Sequence, residues 1–108
     1  MKAISIKQPW ANLISFGQKT IETKTWTTSY RGNILIVSSK RPNIFPAGYA
    51  LAIVKLVDCR KMTEEDEVNA RCDYQSNLYA WVLSDIKRIK PFPVEGKLGI
   101  YEVNYKEE

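Results

Sequence analysis

Asn33 to Ser39, reading Asn-Ile-Leu-Ile-Val-Ser-Ser, is a nearly continuous apolar run, and nothing else in the chain restricts its folding as much. The run is short, β-branched and without helical spacing, so it reads as a strand buried on both faces. Cover for two faces must come from 108 residues, about one domain's worth, which leaves room for a single core. A hydrophobic share of 44% and a charged share of 26% suit such a core and exclude a disordered or collagen-like chain.

The flanking segments supply the rest of a sheet. Ala3-Ile4-Ser5-Ile6 alternates apolar and polar residues as a short strand. Gln8-Pro9 breaks it. Trp10, Leu13 and Ile14 then fall at i, i+3 and i+4, one stripe of a helix of two to three turns, with Gly17 as its left-handed C-cap. From Thr20 to Trp26 the period changes to two, giving a second strand, and Thr27 to Gly32 is a loop. Lys40 to Gly48 carries two prolines and a glycine and must be a surface loop. Tyr49 to Lys61 is a strand long enough to bend midway. Thr63-Glu64-Glu65-Asp66 has the form of a capping box opening a short helix to about Arg71. Asn77 to Leu83 is a further strand, and Asp85 to Lys90 continues it or forms its neighbour. Pro91-Phe92-Pro93 makes an extended corner, and Leu98 to Tyr105 is the last strand.

About six strands and two short helices, joined by loops, give a mostly β (α+β) fold: a largely antiparallel, closed or nearly closed barrel with helices at its mouth. A split mixed sandwich is the alternative. Residues 1–105 are expected to form one domain, with 106–108 as a frayed end.

Charge and composition narrow the function. The chain has no histidine, which excludes histidine triads and histidine-ligated metals, and Cys59 and Cys72 give no zinc pattern. No metal or cofactor is expected, and the two cysteines read as small, partly buried thiols. The longest apolar runs, such as Ala50 to Val54, fall far short of the roughly 20 residues that span a bilayer. With charged residues and a proline in its first ten positions, the start does not resemble a signal peptide, so a cytoplasmic protein without membrane partners is expected. The net charge of +4 is unevenly placed. Residues 1 to 45 carry seven basic side chains against Glu22 alone, whereas the remainder carries nine basic and eleven acidic ones. That imbalance points to a polyanionic partner.

The chemistry concentrates in Gly17 to Trp26, Gly-Gln-Lys-Thr-Ile-Glu-Thr-Lys-Thr-Trp. On a strand, Glu22, Lys24 and Trp26 share one face and Ile21, Thr23 and Thr25 the other. Lys19, just beyond the helix cap, can point into a cleft as a phosphate ligand, or act as a base if burial lowers its pKa. Glu22 and Lys24 pair. Trp26, beside two charges, is the candidate for stacking on a base, Trp10 on the helix stripe is assigned to the core, and Trp81 packs in the barrel. Lys7, Tyr30, Arg31, Ser38 and Lys40, each at a strand end or adjoining loop, are placed on the rim of the same cleft. Of the other carboxylates, only Asp58 is placed where it could reach it.

Ser5-Ile6-Lys7-Gln8-Pro9-Trp10-Ala11, then Gly17 to Trp26, then Tyr30-Arg31-Gly32 follow in an order and spacing that resembles the ASCH domain family, named for activating signal cointegrator homology. Pro46-Ala47-Gly48 leading to Leu56-Val57-Asp58-Cys59, and Pro93-Val94-Glu95-Gly96-Lys97, look like the same family's later landmarks, so the resemblance spans nearly the whole chain. It implies a PUA-like β-barrel with a cleft between barrel and first helix, and it implies RNA binding. One branch of the family hydrolyses N4-acetylcytidine and another member is a ribonuclease, so the resemblance leaves binding and catalysis both open. The family signature Gly-x-Lys-x-x-Glu-x-Arg is met except at Lys24, which keeps the charge of the arginine but not its bidentate fork. Where the acetylcytidine hydrolases carry a nucleophilic threonine, this chain carries Glu22. Thr20 and Thr23 flank it, and Thr23, one residue out of phase, lies on the opposite strand face. The reading is therefore an RNA-binding or single-stranded-DNA-binding domain, with a modified nucleoside as a further ligand. The alternatives are a small hydrolase using Lys19 and Glu22 and, more weakly, a protein-interaction adaptor.

Overall fold

The computed structural model describes residues 1–106. In chain order these form β1 (Lys2–Ile6), α1 (Trp10–Ser15), β2 (Ile21–Lys24), β3 (Gly32–Ser38), β4 (Tyr49–Lys61), a 3-10 turn (Glu64–Asp66), α2 (Glu67–Ala70), β5 (Tyr79–Pro93) and β6 (Ile100–Glu102). One six-stranded sheet runs β2-β5-β4-β3-β1-β6 and curls into a half-barrel. All its pairings are antiparallel except β1 with β3, which run parallel in the register Ala3 to Leu35 through Ile6 to Ser38. No helix among the described residues is long and apolar enough to cross a membrane.

The apolar run in β3 is buried on both faces, as its sequence requires. Ile34 and Ile36 enter one cluster with Ile4, Ile6, Val54, Leu56 and Trp81, while Leu35 and Val37 enter another with Ala3, Ala50, Ile53 and Tyr101. Each such aliphatic side chain contributes roughly 1.5–3 kcal/mol by leaving water. α1 lays Ala11 and Ile14 onto the first cluster. A third cluster, Ile21, Met62, Ala70 and Ala80, fastens α2 to β2 and β5.

The later strands differ from the sequence reading. Residues 77–93 do not divide at a proline corner: Tyr79–Pro93 is one strand of 15 residues. β2 pairs only with Tyr79 to Val82 at one end of β5, and the Leu83 amide still bonds the Thr20 carbonyl, so that side of β5 is an unpaired edge only from residue 84 onward, where prolines lose no ladder bond. At about 3.3 Å per residue a straight strand of this length would run about 50 Å. The molecule's longest dimension is 35 Å, so β5 must curve, and three register shifts against β4 together with a left-handed Asp85 (φ 50°) provide the bends. The last strand is only Ile100–Glu102 rather than the whole of Leu98 to Tyr105. Lys106 is exposed and outside any element, and residues 107–108, the remainder of the expected frayed end, lie outside the described residues.

Candidate nucleic-acid interface

Local rules fix the stretch that carries the chemistry. α1 ends at Ser15, and Gly17 in the left-handed region (φ 76°) turns the chain back so that the amides of Gln18 and Lys19 both bond the Leu13 carbonyl, at 2.8 and 3.1 Å. The far end of α2 is stitched to the same segment. The Thr20 amide bonds the Asn69 carbonyl at 3.0 Å, and Arg71 Nε bonds the Gln18 carbonyl at 3.0 Å. Lys19 is thereby trapped. Its Nζ donates to the Ala70 carbonyl, one of the groups a helix end leaves without a partner, and lies 3.5 Å from Glu22. Only 1% of Lys19 is exposed. Burial pushes its ammonium pKa below the ordinary 10.5, and the Glu22 carboxylate beside it opposes that fall.

Glu22 is shared, because Lys24 Nζ stands 3.6 Å from its other oxygen. These residues line one side of a cleft of about 860 Å³ that runs across the open side of the half-barrel. Trp26 stands at its wall, 37% exposed, its ring edge-to-face on Trp81 with centroids 4.8 Å apart. Trp81 Nε1 bonds the Trp26 carbonyl at 3.2 Å, which fixes the strand end that presents Trp26. Opposite lie Ser5 to Lys7 at the end of β1 and Ser38 to Arg41 after β3. The loop Glu95 to Gly99, between β5 and β6, completes the boundary.

Two small contacts shape that far wall. Gln8, nearly fully buried, donates to Ser38 Oγ and Asn12 Oδ1 at 3.0 Å each and accepts from the Asn12 amide at 3.0 Å, tying the start of α1 to the end of β3. Gly48 (φ 80°) leaves a gap that the Lys40 stem fills; a Cβ there would meet Lys40 Cε at 3.1 Å.

Of the residues singled out in the sequence, Lys7, Lys19, Glu22, Lys24, Trp26, Ser38 and Lys40 converge on the cleft. Ser38 is buried, and its hydroxyl holds Gln8 rather than standing on the rim. Tyr30 and Arg31 do not converge, which corrects their placement. Parallel pairing puts the C-terminal ends of β1 and β3 together at the cleft, whereas Tyr30 and Arg31 precede the N-terminal end of β3, at the opposite end of the sheet. There the Tyr30 hydroxyl donates to the Asn33 carbonyl at 2.5 Å, and Arg31 binds the Thr28 and Tyr30 carbonyls and lies 3.8 Å from Asp58. Asp58 itself pairs with Arg31 and Arg60, exposed and away from the cleft.

Trp10 is a further correction. The buried helix positions are Ala11, Ile14 and Ser15, and Trp10, 38% exposed, faces the cleft. Thr23 reaches the cleft as well, with its hydroxyl 3.8 Å from Cys72 Sγ, because β2 is a four-residue edge strand with α2 closing over it. Arg41, Cys72, Glu95 and Lys97 are cleft residues that the sequence reading did not select. Glu95-Gly96-Lys97 carried a signal in its likeness to a family landmark. Cys72 carried none.

A family model described as the ASCH domain matches residues 4–93. Activating signal cointegrator 1 of Mus musculus and that of Homo sapiens are each 24% identical over an alignment covering 95% of this chain and 22% of theirs, so the chain spans about a fifth of the length of these relatives. The crystal structure of ASCH from Zymomonas mobilis superposes with a TM-score of 0.74 at 15% identity, covering 95% of this chain and 87% of that one. A single-substitution mutant of the same protein superposes with a TM-score of 0.73 at 15% identity, covering 95% of this chain and 89% of that one. At this identity the likeness establishes the fold: the curled sheet with two short helices is the architecture of those structures.

Proposed function

The chain belongs to the ASCH domain family, and from that premise we propose that it binds RNA through the basic cleft, with single-stranded DNA or a free modified nucleoside as less favoured occupants. One observation carries the reading. Lys7, Lys40, Arg41 and Lys97 line the cleft without an ion pair among the described residues, and Trp10 and Trp26 stand partly exposed in the same walls. Unpaired cations suit phosphates, and exposed indoles suit unstacked bases, a combination that favours a single strand over a duplex.

The test is titration of a labelled single-stranded RNA at several salt concentrations. Four phosphate contacts give a log–log slope of about −3, and Trp26→Ala weakens binding by roughly 1–3 kcal/mol. A flat salt dependence, or wild-type affinity in Trp26→Ala, refutes the proposal.

A second reading, hydrolysis of an N4-acylated cytidine or of RNA, rests on the buried Lys19 amine, whose lowered pKa brings it towards the range of a general base at the edge of the cleft. Against it, that amine is already committed to the Ala70 carbonyl and Glu22. Release of cytidine from N4-acetylcytidine, abolished by Lys19→Met in protein that remains folded, is the result this reading requires.

A further inference from the structure

A second concavity lies on the other side of α1, about 380 Å³ in volume and quite unlike the cleft. Its walls are Phe16, Phe45, Pro46, Tyr49, Ile89 and Pro91, and the only ionised side chain among its lining residues is Arg88. Phe45 is 88% exposed and Phe16 56%, so the molecule leaves two phenyl rings in water around one depression.

Arg88 turns this from an apolar blemish into a receptor with a defined polarity. Its guanidinium lies over the Phe16 ring, 4.2 Å from the centroid, and forms no ion pair or hydrogen bond among the described residues. The ring contact uses none of its N–H donors, which remain available to receive a carboxylate bidentately. Among the described residues no carboxylate lines the depression to satisfy it. An apolar slot rimmed by aromatic rings and prolines, with one guanidinium, is complementary to a bulky apolar side chain next to an acidic one.

We propose that this groove docks an acidic peptide segment of a protein partner, inserting an aromatic or leucine side chain between Phe16, Phe45 and Tyr49 and placing an adjacent carboxylate on Arg88. The apolar anchor, rather than the negative charge, separates this partner from the polyanion proposed for the cleft. Phosphates have no apolar anchor for the slot, and the groove offers one cation where the cleft offers several. The two sites share their supports. α1 presents Trp10 to the cleft and Phe16 to the groove, and the loop after β3 presents Lys40 and Arg41 to one and Phe45 and Pro46 to the other.

A random-peptide display selection on the purified protein tests the proposal. The expected result is a family of peptides with an aromatic residue or leucine beside Asp or Glu. Phe45→Ala weakens their affinity roughly tenfold, Arg88→Glu weakens it by about the same factor or more, and Lys24→Ala leaves it unchanged. A repeat selection on Arg88→Glu, with its fold checked by circular dichroism, should turn the preference towards Lys and Arg. The proposal is overturned if no peptides are enriched or if those enriched lack an acidic residue. It is equally overturned if Arg88→Glu keeps the wild-type preference, if single-stranded RNA displaces the peptides by direct competition while Phe45→Ala does not weaken them, or if sedimentation shows the groove occupied by a second copy of the chain.

Discussion

Asp66 and Glu22 are both carboxylates held by basic side chains, yet they are built in opposite ways. Arg60 grips Asp66 with two nitrogens, at 2.7 and 2.9 Å, while the Thr63 amide and hydroxyl add bonds at 2.8 and 3.3 Å. Both oxygens are engaged by these four bonds, Arg60 holds the carboxyl pKa down at about 2, and neither the cleft nor the apolar groove reaches it. Glu22 instead stands 3.5 and 3.6 Å from two lysines, long contacts that leave acceptor and donor capacity on an open cleft. A short, saturated cluster holds structure; a long, unsaturated one facing a cavity can exchange partners with a ligand. The difference lies in completeness rather than in charge.

The sharpest way to break this contrast is Lys19→Met. The substitution keeps much of the stem's volume but strips the Ala70 carbonyl of its donor and leaves Glu22 with Lys24 alone. A loss of about 3 kcal/mol in urea-induced unfolding is expected; a loss below about 1 kcal/mol would mean that Lys19 is not the anchor of the open cluster.

Asp66→Asn comes next, at about 2 kcal/mol, with RNA affinity unchanged. Its pH dependence has a fixed sign. Because the folded carboxyl titrates at about 2 and the free one at 3.8, the unfolded chain takes up the proton first. The contribution is whole above that free value and is lost as the pH falls towards 2, some 1–2 kcal/mol once the exposure of Arg60 is allowed for. Stability curves of wild type and Asp66→Asn should therefore draw together on acidification; curves that stay parallel would remove Asp66 from the argument.

Lys24→Ala has the smallest effect on folding, under about 1 kcal/mol, since its pair with Glu22 is long and partly solvated. It should still weaken RNA binding several-fold, with the salt slope, set by Lys7, Lys40, Arg41 and Lys97, little changed. Destabilisation equal to that of Lys19→Met would show the two lysines to be structural alike.

Much of the fold was legible because its signals are local. The continuous apolar run in Asn33 to Ser39, the glycine cap after α1 and the Thr63–Asp66 capping box all act within a few residues, and each is found where its sequence places it. The long strand β4 matches residue for residue. Pro91-Phe92-Pro93 misled because tolerance of proline depends on whether a neighbour pairs on that side, and only the short reach of β2 decides that. The site was half legible for the same reason. Residues close to Lys19 in sequence were found, whereas Tyr30 and Arg31 were misplaced by the single parallel pairing, which sends the start of β3 to the far end. Trp10 was assigned inward because Leu13 and Ile14 continue its spacing, but a six-residue helix buries too narrow a face to take all three. Cys72 enters through α2, a packing partner that no pattern within Gly17 to Trp26 announces.

The position of β1, between β3 and the final strand β6, bears on how the protein comes into being. During synthesis the first strand emerges early, but one of its edges stays open until residues 100–102 have left the ribosome. The loop that carries Glu95 and Lys97 into the cleft comes out just before them. A nascent chain can therefore assemble β3, β4 and β5 while the cleft is still open, and its boundary is completed only with the last strand.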